Sequence, residues 1–378
     1  MAPNQALPTT YRDYRRTSGS LPRSIELHTQ SLPQQLLPHE VLIRVKAVSL
    51  NWRDIAMLSG RYPTDHENAG RPCSDCAGEI AAIGDAVKDF KVGDRVSPCF
   101  NLDDLDGKQR DGEVRTLGGS VTGQAAGPGV LSEYVIFEEG VLVKVPGYLS
   151  WEEASTLPCA GVTAWTALDR PKEPEPDTAV LLQGTGGVSM FALLLCTVAN
   201  ITPIITSSSD AKLSSISALS PLIKGFNYKT YPDQAARVKQ LTAGKGVDIV
   251  INNMGAASLI ADLESLRNRH GMVSLVGMLN DQKAEWDPSA LMLVLRKLAR
   301  IQGIRVGSKV DFQELVEFLE EKEFTTWCYF YGPRCELIAL IHNDDEDDET
   351  ASADVSKMLE LAKLDTGLIT PSVDVMML

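Results

Sequence analysis

The sequence predicts an α/β protein of two domains, a β-rich unit followed by a doubly wound parallel sheet. Three observations lead there. At 378 residues the chain exceeds the size at which one hydrophobic core keeps growing. Its first 150 or so residues read as short alternating strands broken by glycine turns, roughly one strand per turn signal. From Trp151 onward, apolar strands alternate with helical stretches at intervals of roughly 20–30 residues, the grammar of parallel strands joined by helical crossovers.

In the first part, Val41 to Val48 (VLIRVKAV) alternates apolar and basic residues, as a half-buried strand does. Further strands are expected at Glu79 to Ile83, Arg95 to Pro98, Ser132 to Phe137 and Val141 to Val145. Gly84-Asp85, Gly93-Asp94 and Gly147 punctuate them. Asn101 to Gly129 is rich in Gly and Asp without periodicity and is expected to be a long loop. In the second part, Ala154 to Leu168 reads as a helix, and Pro171 to Asp177 (PKEPEPD) as a connector. Strands are expected at Ala179 to Gln183, Ile201 to Thr206, Val247 to Asn252 and Met272 to Val276, with a helix at Met190 to Val198.

Composition narrows the function classes. A net charge of −14 opposes nucleic-acid binding, which needs a basic face to displace phosphate counterions, and gives no attraction to an anionic membrane. No run of ~18 apolar residues would span a bilayer, and Met1 to Arg16 lacks the apolar core of a secretory signal. A cytoplasmic protein is therefore expected. Seven cysteines in a chain this long do not make a disulfide scaffold. Cys73 and Cys76 form a CxxC with neither a second ligand pair nor a βαβ opening around it, and are read as reduced thiols.

The chemistry starts at Gly184-Thr185-Gly186-Gly187-Val188-Ser189, which follows an apolar strand and opens an apolar helix. Glycines there let a backbone approach a diphosphate lying on a helix N-terminus, which points to a dinucleotide. Ser189 stands where the fingerprint has its third glycine. The next strand bears on which dinucleotide. An NAD site places an acidic residue about 20 residues on to hold the ribose 2′-hydroxyl. No acidic residue lies between Gly187 and Asp210; the strand runs instead into Ser207-Ser208-Ser209, with Lys212 one turn later. Hydroxyls and a cation suit a 2′-phosphate, so NADP(H) is favoured over NAD(H). Asp210 is read as the N-cap of the following helix.

These segments resemble the medium-chain dehydrogenase/reductase superfamily. The likeness is carried by Asn51-Trp52-Arg53-Asp54, Gly60-Arg61-Tyr62-Pro63, Cys73-Ser74-Asp75-Cys76-Ala77-Gly78-Glu79-Ile80 with Gly84, Leu157 to Trp165, and the GTGGVS turn. It covers roughly residues 20 to 320 and is closest to the zinc-independent quinone-oxidoreductase-like and alcohol-dehydrogenase-like branch. The resemblance implies a GroES-like catalytic domain over residues 1–160, a Rossmann NADP-binding domain over 161–304, a return to the catalytic domain over 305–378, and a homodimer.

The resemblance also speaks to metal. Where the zinc-dependent branch opens its first segment with a ligand Cys, this chain has Asn51; where it has the His of Gly-His-Glu, this chain has Ser74. Only Cys159 matches a ligand position, and catalytic zinc needs three. His66-Glu67-Asn68-Ala69-Gly70 spells a similar motif but lacks the strand that should follow it. No metal is expected. Polarising the substrate then falls to hydrogen bonds, and Tyr62 matches the proton-donating Tyr of related enoyl reductases. The alternative is that Tyr62 only packs beside the cleft. Asn51 is expected to line the nicotinamide cleft and Thr163 to lie beside the ring, while Tyr228 matches a position that covers the adenine ribose or its phosphate. Gly184, Thr185, Gly186, Gly187, Val188, Ser207, Ser208, Lys212, Asn252, Gly277 and Val306 complete the expected cofactor contacts. Asp54 is read as structural.

After about Glu321 the chain departs from the family: an acidic block, Asn343 to Thr350, replaces the usual basic, valine-rich ending, with one more amphipathic helix possible over Val355 to Lys363. The expected activity is reduction of an activated C=C or C=O in a small molecule such as an enone, quinone, enoyl thioester or aldehyde. Alcohol oxidation, and a redox-inactive member that binds or reshapes a small molecule, are the alternatives.

Overall fold

A computed structural model of the chain describes residues 7–62, 70–112, 114–119, 127–277, 284 and 286–322. The expectations for His66 to Ala69 and for the acidic tail lie outside the described residues. The chain divides into two compact units, Met1–Cys159 with Gly307–Leu378, and Ala160–Val306.

The first unit holds a five-stranded antiparallel sheet of order β6-β3-β4-β5-β7, built from β3 (Glu40–Ser49), β4 (Asp75–Ile83), β5 (Arg95–Pro98), β6 (Tyr134–Glu138) and β7 (Leu142–Lys144). β3 is an interior strand between β6 and β4, and its Val41, Ile43 and Val45 are buried while Arg44 and Lys46 are half-exposed, as the alternation in the sequence requires. Irregular register between β3 and β4 bends this sheet. A hairpin of β1 (Thr10–Arg16) and β2 (Ile25–Ser31) forms a separate two-stranded sheet. The sequence reading missed this hairpin. Helix α1 (Trp52–Leu58) follows β3, and α2 (Trp151–Ser155) packs against β3 and β4. After residue 306 the chain rejoins this unit: Asn101 Nδ2 donates to the Gly307 carbonyl at 2.8 Å, and the Tyr148 hydroxyl donates to the Leu319 carbonyl of α9 (Lys309–Glu321) at 3.0 Å.

The second unit is a six-stranded parallel sheet: β8 (Ala179–Leu182), β9 (Thr202–Ser207), β10 (Lys224–Asn227), β11 (Ile249–Asn252), β12 (Met272–Leu275) and β13 (Arg300–Gly303). Their order is β10-β9-β8-β11-β12-β13, so the connections reverse direction between β8 and β11. Helices α3 (Val162–Ala167), α4 (Gly187–Val198), α5 (Asp210–Ser217), α6 (Gln234–Leu241), α7 (Leu259–Ser265) and α8 (Met292–Lys297) connect or flank the strands. Val180, Leu181 and Leu182 have no exposed surface, which is why β8 is apolar throughout rather than alternating. Leu181, Ile204, Phe226, Val250, Leu263 and Val273 join in one core.

The helix expected from Ala154 to Leu168 is instead two helices separated by a wide turn at Leu157–Gly161. Pro158 lacks the N–H that a continuous helix needs, so the ladder loosens at that point. Helix α5 is capped by Ser209, whose Oγ accepts from Lys212 N, and Asp210 is its first residue rather than its cap.

Candidate functional site

The sequence-predicted residues fall in both units. In the second, Gly184 to Gly187 form the turn between β8 and α4, at the carboxyl end of the strand where the connections reverse. In open parallel sheets this is where ligands bind. Gly184 has φ +75°, a region that favours glycine, and a Cβ built there meets no atom within 4 Å, so the turn faces open space. Gly186 is the N-cap of α4, and no side chain caps that helix. By contrast, Ser150, Ser209, Asp233 and Ser308 each cap the helix they precede. A helix whose first N–H groups lack a side-chain acceptor, behind a glycine turn, suits a diphosphate. Thr185 is buried, Val188 half-buried, and the Ser189 hydroxyl donates back to the Gln183 carbonyl at 2.8 Å, closing the turn.

The neighbouring strand supports this turn. The Thr206 hydroxyl accepts from Gly184 N at 3.0 Å. Ser207 is buried, its Oγ accepting from Ser209 N and its carbonyl from Tyr228 N. Asn227 Nδ2 donates to the Ser208 carbonyl and to Asp210 Oδ1. Ser207, Ser208 and Tyr228 are thus held together at the ends of β9 and β10, with Lys212, half-buried, in the first turn of α5. On the other side of β8, Gly277 N donates to the Asn252 carbonyl at 3.3 Å, bringing those two residues together. The Asn252 side chain, however, is wholly buried: it donates to Asp262 Oδ2 and accepts from Gly255 N, so only main chain near it is available to a ligand. Thr163 is buried in α3, and the next turn of that helix reaches Val306, whose carbonyl accepts from Thr166 Oγ1 at 2.5 Å. Val306 itself has φ +61°, unusual for a branched residue.

In the first unit, Asn51 is the N-cap of α1, and its backbone N–H donates to Asp54 Oδ2 at 2.9 Å. Asp54 therefore serves the helix start, as expected of a structural residue. Asn51 Nδ2 donates to Asp75 Oδ2 at 2.7 Å. Burial pushes the Asp75 carboxyl up to about 7, against the pull of that hydrogen bond. Tyr62 is half-buried, its ring edge-on to Trp52 with centroids 6.2 Å apart, and the Arg53 guanidinium lies 5.5 Å from its centroid. Burial works against the charge on Arg53, yet the Tyr62 oxygen and Asp54 hold its pKa above the ordinary value. The guanidinium is fixed by the carbonyls of Leu117 and Gly119, at 2.9 and 3.0 Å. Sequence reasoning missed Arg53; its place two residues after Asn51, in the first turn of α1, was the available signal.

The zinc question is one of donor chemistry. The residues at the family's ligand positions are an amide, Asn51, already bonded to Asp75; a hydroxyl, Ser74, wholly buried; and a thiol, Cys159. This set does not fit catalytic zinc, which takes His, Cys or carboxylate ligands. Cys73 and Cys76 are buried, and burial raises both thiols well above their usual range, the reverse of what a thiolate ligand or redox pair requires. Among the described residues, no group of three or more His, Cys, Asp or Glu is placed to hold a metal ion.

Two family models match the chain: the alcohol dehydrogenase GroES-like domain over residues 37–147 and the zinc-binding dehydrogenase over residues 187–321. A zinc-type alcohol dehydrogenase-like protein of Schizosaccharomyces pombe is 36% identical over 296 residues, 77% of this chain and 83% of that protein. A solved structure from Sinorhizobium meliloti 1021, described as an alcohol dehydrogenase, superposes with TM-score 0.74 at 32% identity, covering 84% of this chain and 90% of its own. A quinone oxidoreductase of Pseudomonas syringae pv. Tomato DC3000 shares the fold, with TM-score 0.65 at 23% identity over 95% of this chain and 98% of its own. The glycine turn at a reversal point of a parallel sheet, the β-rich first unit and these matches agree: the chain belongs to the medium-chain dehydrogenase/reductase superfamily of nicotinamide-dependent oxidoreductases.

Proposed function

We propose that the protein is an NADP(H)-dependent, zinc-independent reductase of an activated C=C or C=O group in a small molecule such as an enone, quinone, enoyl thioester or aldehyde. The observation that carries this reading is the pairing of the uncapped glycine turn at Gly184 to Gly187 with a β9 end that offers hydroxyls and Lys212 instead of a carboxylate. The turn would hold the diphosphate by main-chain N–H groups, and Ser207, Ser208 and Lys212 would hold the 2′-phosphate. Tyr228 would cover the adenine ribose. Thr163, Gly277 and Val306 would bound the nicotinamide. When bound, the reduced dinucleotide supplies the hydride.

The chain's own residues supply the rest. Tyr62 gives a proton or hydrogen bond to the substrate oxygen, the role a metal takes in the zinc-dependent branch. A phenol donates at neutral pH without carrying charge. Arg53, buried beside it, favours the oxygen as it gains negative charge. Asn51 orients substrate or nicotinamide while tied to Asp75. A homodimer fits the same reading, because β13 is an edge strand of the second unit's sheet and Leu291, Met292, Leu295 and Leu298 close to it are 45–65% exposed.

The test is direct. Purified protein mixed with NADPH should blue-shift and enhance nicotinamide fluorescence, and should oxidise NADPH against at least one member of a panel of enones, quinones, enoyl thioesters and aldehydes. Turnover only with alcohols and the oxidised cofactor would favour the dehydrogenase direction. Tight binding without turnover on any of these would favour a redox-inactive binding role.

A further inference from the structure

Asp262 of α7 is fully buried and has no part in the roles described so far. Both of its oxygens accept only. Oδ1 takes Gln183 Nε2 at 2.7 Å and Gln234 Nε2 at 2.8 Å; Oδ2 takes Asn252 Nδ2 at 2.7 Å and the Ser258 hydroxyl at 3.0 Å. An ionised carboxylate has no proton to give, so each amide must turn its NH₂ end toward Asp262 and its carbonyl end away.

Those carbonyl ends meet the main chain after β11. Gln183 Oε1 accepts from Asn253 N at 3.1 Å and Met254 N at 3.4 Å, and Asn252 Oδ1 accepts from Gly255 N at 2.7 Å. Gln183 is also the residue immediately before the glycine turn. Its own carbonyl accepts from the Ser189 hydroxyl at 2.8 Å and from Asn253 Nδ2 at 3.0 Å, and Asn253 Nδ2 further donates to Ser189 Oγ at 2.9 Å. One carboxylate therefore sets the polarity of three amides, two of which, Gln183 and Asn252, reach this main chain. Through them it ties the turn between β8 and α4 to the loop after β11, the two loops that flank the point where the sheet's connections reverse. Ser189, in place of the fingerprint's third glycine, is what lets the turn join this network.

We propose that Asp262 is a positioning residue for dinucleotide binding, which fixes the 184–189 turn through Gln183 and must be ionised to do so. The inference rests on the reading of that turn as the diphosphate site. Burial pushes the Asp262 carboxyl up to about 6, opposed by the hydrogen bonds from Gln234, Ser258 and Asn252. Its neighbours from each packed segment are neutral: Gln183 after β8, Gln234 of α6, Asn252 of β11 and Ser258 ahead of α7. Of the charged groups on the helices around it, Lys297 lies near Lys239 and Glu264 and donates to the Glu264 and Leu266 carbonyls, and Arg237 donates to Gln240 and lies over the Tyr231 ring. Protonation as pH falls through about 6 would remove an acceptor and leave a buried N–H or O–H without a partner.

The experiment is calorimetric titration with ADP-ribose, which carries the diphosphate but no 2′-phosphate to titrate in this range, alongside NADPH. Wild-type protein should bind at pH 7.5 and lose affinity for ADP-ribose as pH falls through about 6. Asp262→Asn sets an NH₂ group against another NH₂ group; it should bind roughly tenfold more weakly or worse at pH 7.5 and lack the acid limb. Gln183→Met, which leaves Asp262 with its other three donors, should be weakened similarly with an unchanged far-UV circular dichroism spectrum. Absence of wild-type binding to both ligands overturns the diphosphate reading and this inference with it. Folded Asp262→Asn with wild-type affinity and pH profile overturns this inference alone. Should Asp262→Asn not fold, wild-type affinity in Gln183→Met does the same.

Discussion

The Asn51 side-chain amide donates to Asp75 Oδ2 at 2.7 Å, and Asp75 is wholly buried. In the zinc-dependent branch of the superfamily, the place that Asn51 takes here is held by a metal-ligating Cys. Here it carries a hydrogen-bond donor that a neighbouring carboxylate already holds, and Ser74 beside that carboxylate is no ligand. The protein as purified should contain far less than one zinc per chain by elemental analysis. Excess EDTA should leave dinucleotide binding and turnover unchanged. One zinc per chain, removed together with activity, would reverse the assignment.

The same pair makes a stability prediction. Burial, the largest effect, raises the Asp75 carboxyl from 3.8 to about 7, and the nearby charge of Asp54 adds to it while Asn51 opposes. A carboxylate raised on folding favours the native state when protonated. That contribution is present at low pH and lost as pH rises through about 7. Asp75→Asn keeps an acceptor for Asn51 and removes the ionisation. The variant should match wild type in thermal stability near pH 4 and gain on it steadily up to pH 8. About 4 kcal/mol is the ceiling for three pKa units, and screening and relaxation should reduce it. A gap that narrows with rising pH would contradict the sign.

The Tyr62 ring packs against its neighbours on α1 and carries the hydroxyl to which the proposed reaction assigns proton donation. Its ring meets Trp52 edge-on at 6.2 Å, and the Arg53 guanidinium lies 5.5 Å from its centroid. Tyr62→Phe keeps the packing and deletes the donor. Turnover should fall by roughly a hundredfold, while the dissociation constant for NADPH, measured by fluorescence titration, stays within about twofold. Equal rates would leave Tyr62 with packing alone.

Much of this architecture could be read in the residues. Arg95 to Pro98 falls on β5, and the apolar run at Ala179 falls on β8, because short buried strands are written as uninterrupted apolar or alternating stretches. The glycine turn was legible for the same reason: a left-handed Gly184 is a local requirement. What escaped was non-local. The β1–β2 hairpin has exposed positions at Glu26, Leu27 and Thr29 and so shows no clean apolar alternation. The Asp262 network joins residues 183, 234, 252 and 262, which only the fold brings together. Pro158 marks in the sequence the place where the expected helix opens at Leu157–Gly161.

The cofactor preference has a separate test at the end of β9. Ser209 caps α5 by accepting from Lys212 N, which holds Lys212 in the first helical turn, three residues after the run Ser207 to Ser209. A 2′-phosphate placed against Ser207 and Ser208 would gain a charge-assisted bond from Lys212; a 2′-hydroxyl would gain little. Lys212→Glu replaces that attraction by repulsion in the same helix turn, where an acidic residue is well tolerated. Affinity for NADPH should fall by roughly tenfold to a hundredfold, whereas affinity for NADH should change by less than about threefold or improve, since a carboxylate there can accept from the 2′-hydroxyl. Calorimetry with both cofactors on wild type and variant gives the four constants needed. Equal proportional losses for the two would mean that Lys212 does not read the 2′-phosphate.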